Sequence, residues 1–318
     1  MPFKFKIDNH QQGRRLDKVL RGKWPNLPLG ALMKYFRKRQ ILVNGSPANY
    51  NDKVIAGQEI QVPWDDSPVK KTITPQGPSV RVHLDIIYAD SNICIINKPW
   101  NLLTQPAKRN DDSVIARIIK ELGWRDNSFL PTPVHRLDRN TSGILVVALN
   151  GEALRVLNEA WRNGKVRKKY LALVSGNPKD KGTVKVALVK DTSKNMVTPV
   201  KSGGLNAETR YRTIKGNGDV ALVSLELLTG RPHQARAHMA YVGNPIIGDR
   251  KYGDQKINQK WIQKGIKRPL LHARTITFDE NFPAPLEYLS GRTFNAPPPD
   301  DFLSVLRERG WHIYNWGV

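Results

Sequence analysis

Six consecutive apolar residues, Ile144-Leu145-Val146-Val147-Ala148-Leu149, follow directly on the polar run His135-Arg136-Leu137-Asp138-Arg139-Asn140-Thr141-Ser142-Gly143. A run this short and this apolar reads as a buried strand, and it anchors any fold the chain adopts. Asp138 then lies on a loop pinned at the edge of a sheet, where a rigid scaffold can present a reactive group. Taken alone, an Arg-x-Asp-Arg run is as readily a surface aspartate paired with Arg136 or Arg139.

The chain length of 318 residues suits two domains. Lysine and arginine total 51 against 28 acids, a formal charge of +23, and an excess of that size attracts polyanions. No apolar run reaches the roughly 18–20 residues that span a bilayer, which favours nucleic acid over a membrane as the polyanion. The single cysteine, Cys94, sits inside an apolar run, so neither a disulfide framework nor a cysteine-based zinc site is expected. Its setting suits a small core residue in a reducing compartment. Met1-Pro2-Phe3-Lys4-Phe5-Lys6-Ile7 lacks the hydrophobic region of a signal peptide. The expected location is cytoplasmic, or an organelle matrix if a presequence has been trimmed.

Residues 1–64 form a small basic module. Leu16, Val19 and Leu20 recur at helical spacing, and a second helix carries Leu29, Leu32, Met33 and Phe36 at i, i+3, i+4 and i+7. The other positions hold Lys34, Arg37, Lys38 and Arg39, a cationic stripe that suits a phosphate backbone. Ile41-Leu42-Val43 then meets Asn44-Gly45, a strand ending in a tight turn. Helix, helix, short strand and Asn-Gly turn resemble an S4 RNA-binding domain. The proline-bearing stretch 65–80 reads as a semi-extended linker. Residues 81–290 are strand-rich and mostly antiparallel, without the alternating rhythm of a parallel sheet. The fold class is therefore α+β: a small α/β-type S4 RNA-binding module joined to a larger, mostly antiparallel mixed-sheet domain. Strands are expected at Thr183–Lys190, Ala207–Ile214 and Asp219–Leu227, with a mobile segment over Lys190–Gly204. Residues 291–318, with Pro297-Pro298-Pro299, Trp311 and Trp316, read as a C-terminal extension of no assigned role.

The stretch His135–Gly143 resembles the H-R-L-D-x-x-T-S-G signature of the RluA/RluC/RluD group of RNA pseudouridine synthases, with every fixed position matched. Further segments agree. Asn97-Lys98-Pro99-Trp100-Asn101 resembles N-K-P-x-G, with Asn101 in place of the glycine; asparagine tolerates the left-handed conformation better than most residues. Arg167-Lys168-Lys169-Tyr170 opens a segment similar to K-x-Y-x-A-x-V-x-G. Thr229-Gly230-Arg231-Pro232-His233-Gln234-Ala235-Arg236-Ala237-His238 resembles T-G-R-x-H-Q-[IL]-R-x-H, with Ala235 trimming a core contact. Asn244–Asp249 and Leu270–Ala273 complete the likeness. His233 and His238 are five residues apart, off one helical face and without an obvious third ligand, so no metal is expected. No P-loop or dinucleotide fingerprint is present and no cofactor is expected.

The resemblance implies a reaction. Pseudouridine formation breaks the N1–C1′ bond of a uridine, turns the base and joins C5 to C1′. The chemistry needs a carboxylate beside C1′, as glycosidases do. The resemblance assigns that part to Asp138, acting either at C1′ or by assisting removal of a C2′ proton. It assigns Arg236 as the partner of that carboxylate, Tyr170 as the residue that stacks on the base and a candidate for proton transfer, and Arg136 as the one filling the space left by the flipped nucleotide. Arg139, Arg231, His233 and Gln234 join Arg136 as expected RNA contacts, with Lys34, Arg37 and Lys38 in the basic module. The S4-like module narrows the expected target to large-subunit ribosomal RNA or a pre-ribosomal particle, for a monomer with no obligate protein partner. Two alternatives share these residues: an RNA-binding assembly factor on a retired synthase scaffold, and an RNA N-glycosidase that releases free base.

Overall fold

The computed structural model describes residues 2–24, 27–64, 83–107, 111–125, 129–191, 193 and 195–311. The expected linker, 65–80, lies outside them.

In the N-terminal unit, β1 (Phe3–Lys6), α1 (Leu16–Lys23), α2 (Leu29–Arg37), β2 (Leu42–Val43), β3 (Ser46–Pro47) and β4 (Glu59–Val62) place two helices on a sheet of order β1-β4-β2-β3. Leu16, Val19, Leu20, Leu32 and Phe36 close one core with Ile41, Val54 and Ile60. Leu29 departs from the expected stripe: it opens α2 and is 49% exposed. Asn44 and Gly45 both take positive φ, 49° and 82°, which is what a two-residue hairpin of right-handed twist requires. Lys34, Arg37 and Lys38 are exposed.

The larger unit is built on ten strands: β5 (Asp85–Ala89), β6 (Ile93–Lys98), β7 (Thr132–Pro133), β8 (Ser142–Ala148), β9 (Val166–Ser175), β10 (Lys181–Lys185), β13 (Glu208–Gly216), β14 (Val220–Leu227), β15 (Leu271–Phe278) and β16 (Thr293–Asn295). Its main path is β10-β13-β14-β9-β15-β8-β6-β5, antiparallel except where β8 meets β15 in parallel. The apolar hexamer forms most of β8, which is buried throughout. Ile144, Val146 and Ala148 pack with Ala153, Val156 and Leu157 of α4 (Gly151–Arg162). Leu145 and Val147 pack with Val114, Ile115 and Ile118 of α3 (Val114–Glu121). Strand alternation thus supplies two cores, one per face. Ser113 and Asn150 cap the two helices, their side chains accepting from Ala116 N and Ala153 N.

Two expectations require correction. The stretch expected to be mobile is a hairpin, β11 (Ala187–Asp191) with β12 (Met196–Val200), and what read as one strand over 183–190 is β10 followed by β11. The C-terminal extension is, over its described part, integral to the larger unit: β16 pairs with β15, and Phe302, Val305 and Leu306 of α7 (Asp300–Glu308) pack on Leu171 and Leu173. Two more helices, α5 (Gln234–Tyr241) and α6 (Gln255–Gln263), complete the unit.

Candidate active site

The turn bearing Asp138 is held by its backbone. Thr104 Oγ1 donates to the Leu137 carbonyl at 2.9 Å, Thr141 N–H to that of Asp138 at 3.0 Å, Lys98 Nζ to that of Arg139 at 3.2 Å, and Arg268 Nη1 to that of Asn140 at 3.3 Å. Four successive carbonyls are therefore satisfied from within the protein, two of them by cations that are themselves buried. Lys98 is 0% exposed; its ammonium also donates to the Pro99 and Leu102 carbonyls. Burial pulls the Lys98 pKa down to about 7, against the opposing charge of Asp138. Arg268 is fixed by a bidentate pair with Asp301 at the start of α7, at 2.6 and 2.7 Å. Asn101, with φ 62°, occupies the left-handed conformation in the loop beside Lys98.

Gly143 sets how closely β8 approaches β15. Its φ is 112°, and a Cβ there would lie 2.2 Å from the Ala273 carbonyl oxygen, so only glycine lets β8 and β15 approach this closely. The next residue back, Ser142, bonds through Oγ to His272 Nδ1 at 2.9 Å, and His272 Nε2 donates to the Ala296 carbonyl. Burial holds His272 neutral, with a pKa near 3.

Across the turn, His233 caps α5 in the left-handed conformation (φ 50°), and Arg236 follows within the first turn of the helix. Arg236 donates through Nε and Nη2 to Asp249 at 2.6 and 2.8 Å, and offers Asp138 only Nη1, at 3.4 Å. The carboxylate gripped by its fork is therefore Asp249, not Asp138. Burial opposes the charge on Arg236, but the hydrogen bonds and field of Asp249, with that of Asp138, outweigh it and raise its pKa. Asp249 itself follows Gly248, whose φ of 78° and close approach to the Arg268 carbonyl exclude a side chain.

His233 Nε2 lies 3.8 Å from Asp138 Oδ2, and Nδ1 lies 2.9 Å from the Tyr252 hydroxyl. Val197 N–H already donates to that hydroxyl, so its proton is free to bond Nδ1, which puts the ring proton on Nε2, toward Asp138. Burial lowers the His233 pKa and outweighs the pull of Asp138. Tyr170, on β9 opposite Ala273 and Leu225, is 5% exposed, and burial with the nearby Asp138 charge pushes its hydroxyl pKa well up. Asp138, Tyr170, Arg236 and Arg136 border one cavity of about 60 Å³, and Asp138, Tyr170 and Arg136 also border a larger groove of about 600 Å³. Among the described residues no group of three or more histidine, cysteine or acidic side chains could hold a metal. No helix among them is long and apolar enough to cross a membrane.

A sequence profile described as RNA pseudouridylate synthase matches residues 92–241. Over 279 residues the chain is 34% identical to the ribosomal large subunit pseudouridine synthase C of Vibrio cholerae, covering 86% of this chain and 87% of that one. The chain belongs to the RNA pseudouridine synthases. It is also 32% identical over 312 residues to the ribosomal large subunit pseudouridine synthase D of Xylella fastidiosa, covering 93% and 90% of the two chains. The solved structure of human RNA pseudouridylate synthase domain containing 4 shares the fold, with a TM-score of 0.59 and 24% identity over 73% of this chain and 95% of that one. As a member of this family the synthase is an isomerase that acts on RNA.

The synthase does not use all of its motif residues alike. Gln234 is 2% exposed; its oxygen accepts from Thr229 Oγ1 and Arg231 N–H while its amide donates to the Glu208 carbonyl and Thr209 Oγ1. All four of its polar positions are taken, so it braces the loop rather than contacting RNA. His238 is likewise occupied, by Thr209 Oγ1 and the Val186 carbonyl. Arg231 borders the cavity while its Nε donates to the Asn206 carbonyl. Arg136 and Arg139 point out of the turn and are exposed. Sequence reasoning quoted Lys98 and Asp249 within their motifs but gave neither a role, and it did not reach Tyr252, Arg268 or Asp301.

Proposed function

We propose that the synthase converts uridines of large-subunit ribosomal RNA to pseudouridine in the cytoplasm, with Asp138 as the carboxylate at C1′. The single observation that carries this reading is the meeting of Asp138 with Arg236 and Tyr170 around one cavity, on a turn whose four carbonyls are all held from within the protein. The substrate follows from the relatives named for the large ribosomal subunit and from the basic face of α2, read as an S4-like RNA-binding module.

The isomerisation conserves its atoms. The N1–C1′ bond breaks as the sugar carbon becomes electron-poor beside the carboxylate, the base turns, C5 bonds to C1′, and the C5 proton is lost while N1 gains one. Nothing is oxidised and no water is consumed. A target uridine in folded RNA leaves its stack, at a cost of a few kcal/mol. Arg136, exposed at the mouth of the cavity, is placed to fill the gap, and cationic contacts to phosphates offset the cost. Tyr170 keeps its proton at neutral pH and acts as a flat wall for the base, not as a base catalyst. Arg236, already paired with Asp249, steadies Asp138 with one N–H and leaves its outer oxygen free for the sugar.

The test is carbodiimide mapping of pseudouridine in large-subunit ribosomal RNA transcript treated with wild type or Asp138→Asn. Stops appearing with wild type alone, while the variant keeps its fold and its RNA affinity, are the expected outcome. Equal stops with the variant would remove Asp138 from the reaction; no stops with wild type would refute the substrate.

A further inference from the structure

The groove of about 600 Å³ continues from Asp138, Arg136 and Tyr170 toward the turn between α4 and β9. There Trp161 holds two side chains at once. The His135 ring stacks on it at 4.8 Å and 21°, and Lys168 Nζ lies 5.2 Å from its centroid. His135 Nε2 accepts from Val146 N–H, which leaves the ring proton on Nδ1, and that buried N–H meets no partner among the described residues. Lys168 forms no ion pair with a described carboxylate. It is part-buried, and burial alone pushes its pKa down to about 8. The rest of the wall is also cationic: Arg162, Arg167 and Arg231 line it, against Glu226 and, at the far end, Asp138.

A buried N–H without an acceptor and a desolvated ammonium without a counter-charge are each unfavourable in the free protein. The second is resolved by a ligand that is anionic and only accepts hydrogen bonds. A base edge does not fit, since it brings donors as well. A phosphodiester does. Lys168 also precedes Tyr170 by two residues on the same face of β9, which separates them by roughly 7 Å along the strand. An anion held by Lys168 is thus within reach of the same strand of RNA whose base stands against Tyr170.

We propose that Lys168, set by Trp161 and the His135 ring stacked on it, forms a binding site for the backbone phosphate adjoining the target uridine. The inference rests on the synthase reading above. Engaging that phosphate registers the strand beside Asp138 without reading its sequence. His135, second to the reacting groups, is a positioning residue here and touches no reacting atom.

The experiment compares wild type, Lys168→Met and Lys168→Arg on large-subunit ribosomal RNA transcript. It reads tritium release from 5-labelled uridine and RNA binding between about 50 and 300 mM KCl, a range over which phosphate contacts dominate the salt response. The methionine keeps the stem on Trp161 and deletes the charge. Expected for Lys168→Met is a roughly ten- to hundredfold rise in KM with kcat little changed, and a binding slope against log salt shallower by about 0.7–0.9. Lys168→Arg restores both. An unchanged slope and KM, or a fall in kcat alone, overturns the site. If wild type itself releases no tritium the functional reading fails, while the salt slope still decides whether Lys168 meets a phosphate.

Discussion

Replacing Asp249 with asparagine tests the claim that this residue, and not Asp138, is what the Arg236 fork grips. Asp249 is fully buried and Arg236 nearly so, and Asp249 Oδ1 also accepts from Lys251 N–H at 3.0 Å and Tyr252 N–H at 3.2 Å. An asparagine of the same shape has one acceptor oxygen for these donors, and its amide turns a donor toward another donor. One of the two Arg236 bonds is lost, at about 1.5–3 kcal/mol, and the other meets a neutral amide oxygen; with the buried guanidinium left without its counter-charge the total is roughly 3–5 kcal/mol. At about 2–4 °C per kcal/mol for a domain of this size, Tm falls by roughly 6–20 °C. Freed from its fork, the guanidinium turns to the remaining carboxylate, an attraction of about 4 kcal/mol at 4 Å and intermediate dielectric. Asp138 is then drawn into a full ion pair and away from the sugar, and kcat falls about a hundredfold, the scale of a 1 Å misplacement. Calorimetry and tritium release on Asp249→Asn, Arg236→Met and the double variant measure both effects. The double variant is expected to lose less stability than the sum of the singles, by at least about 1.5 kcal/mol. Additive losses, or a Tm within about 2 °C of wild type for Asp249→Asn, would refute the reasoning.

Two further outcomes follow from the anchors of the Asp138 turn. Lys98 has a folded pKa near 7, below the value of about 10.4 in an unfolded chain. The unfolded state therefore binds more protons between these values, so wild type gains stability as pH rises from 7 toward 10, by at most about 1.4 kcal/mol per unit from this group. Chemical denaturation of wild type and Lys98→Met at pH 7 and 9 shows the gain as a growing advantage of wild type; a constant difference means the three carbonyls keep the ammonium charged throughout. At Gly143→Ala the new Cβ falls on the Ala273 carbonyl, and relief requires parting β8 from β15. A loss of about 3 kcal/mol or more, together with most of the activity, is expected from denaturation and turnover; a variant as stable as wild type would show that the strands can separate freely.

Much of this is legible in the sequence. The alternation hidden in the hexamer becomes two cores because the residues face two helices, and Asn44-Gly45 makes the hairpin that its backbone preferences demand. Asp138, Tyr170 and Arg236, far apart in the chain, do meet. What escaped is what the chain brings together only by folding. The partner of Arg236 is thirteen residues on, across a loop whose course no periodicity reveals. Lys98 and Arg268 are buried cations, and in a chain with 51 lysines and arginines nothing local sets them apart from those on the surface. The hairpin around Lys190–Gly204 looks like a loop because it buries little beyond Leu188 and Val197, against Ala207 and Ala237, and is otherwise polar. α7 is held by Phe302, Val305 and Leu306 in the core and by Asp301 on Arg268, the latter a contact with no signature of its own.

The four carbonyls that secure the turn at 137–140 are common to every amino acid. The hold on Asp138 is therefore indifferent to which side chains stand at 136, 139 and 140. Positions 139 and 140 can be exchanged to suit a different stretch of RNA without dislodging the carboxylate beside them, whereas Arg136 is tied to the flipped base. The tolerance stops at Gly143, where the absence of a side chain is itself the requirement.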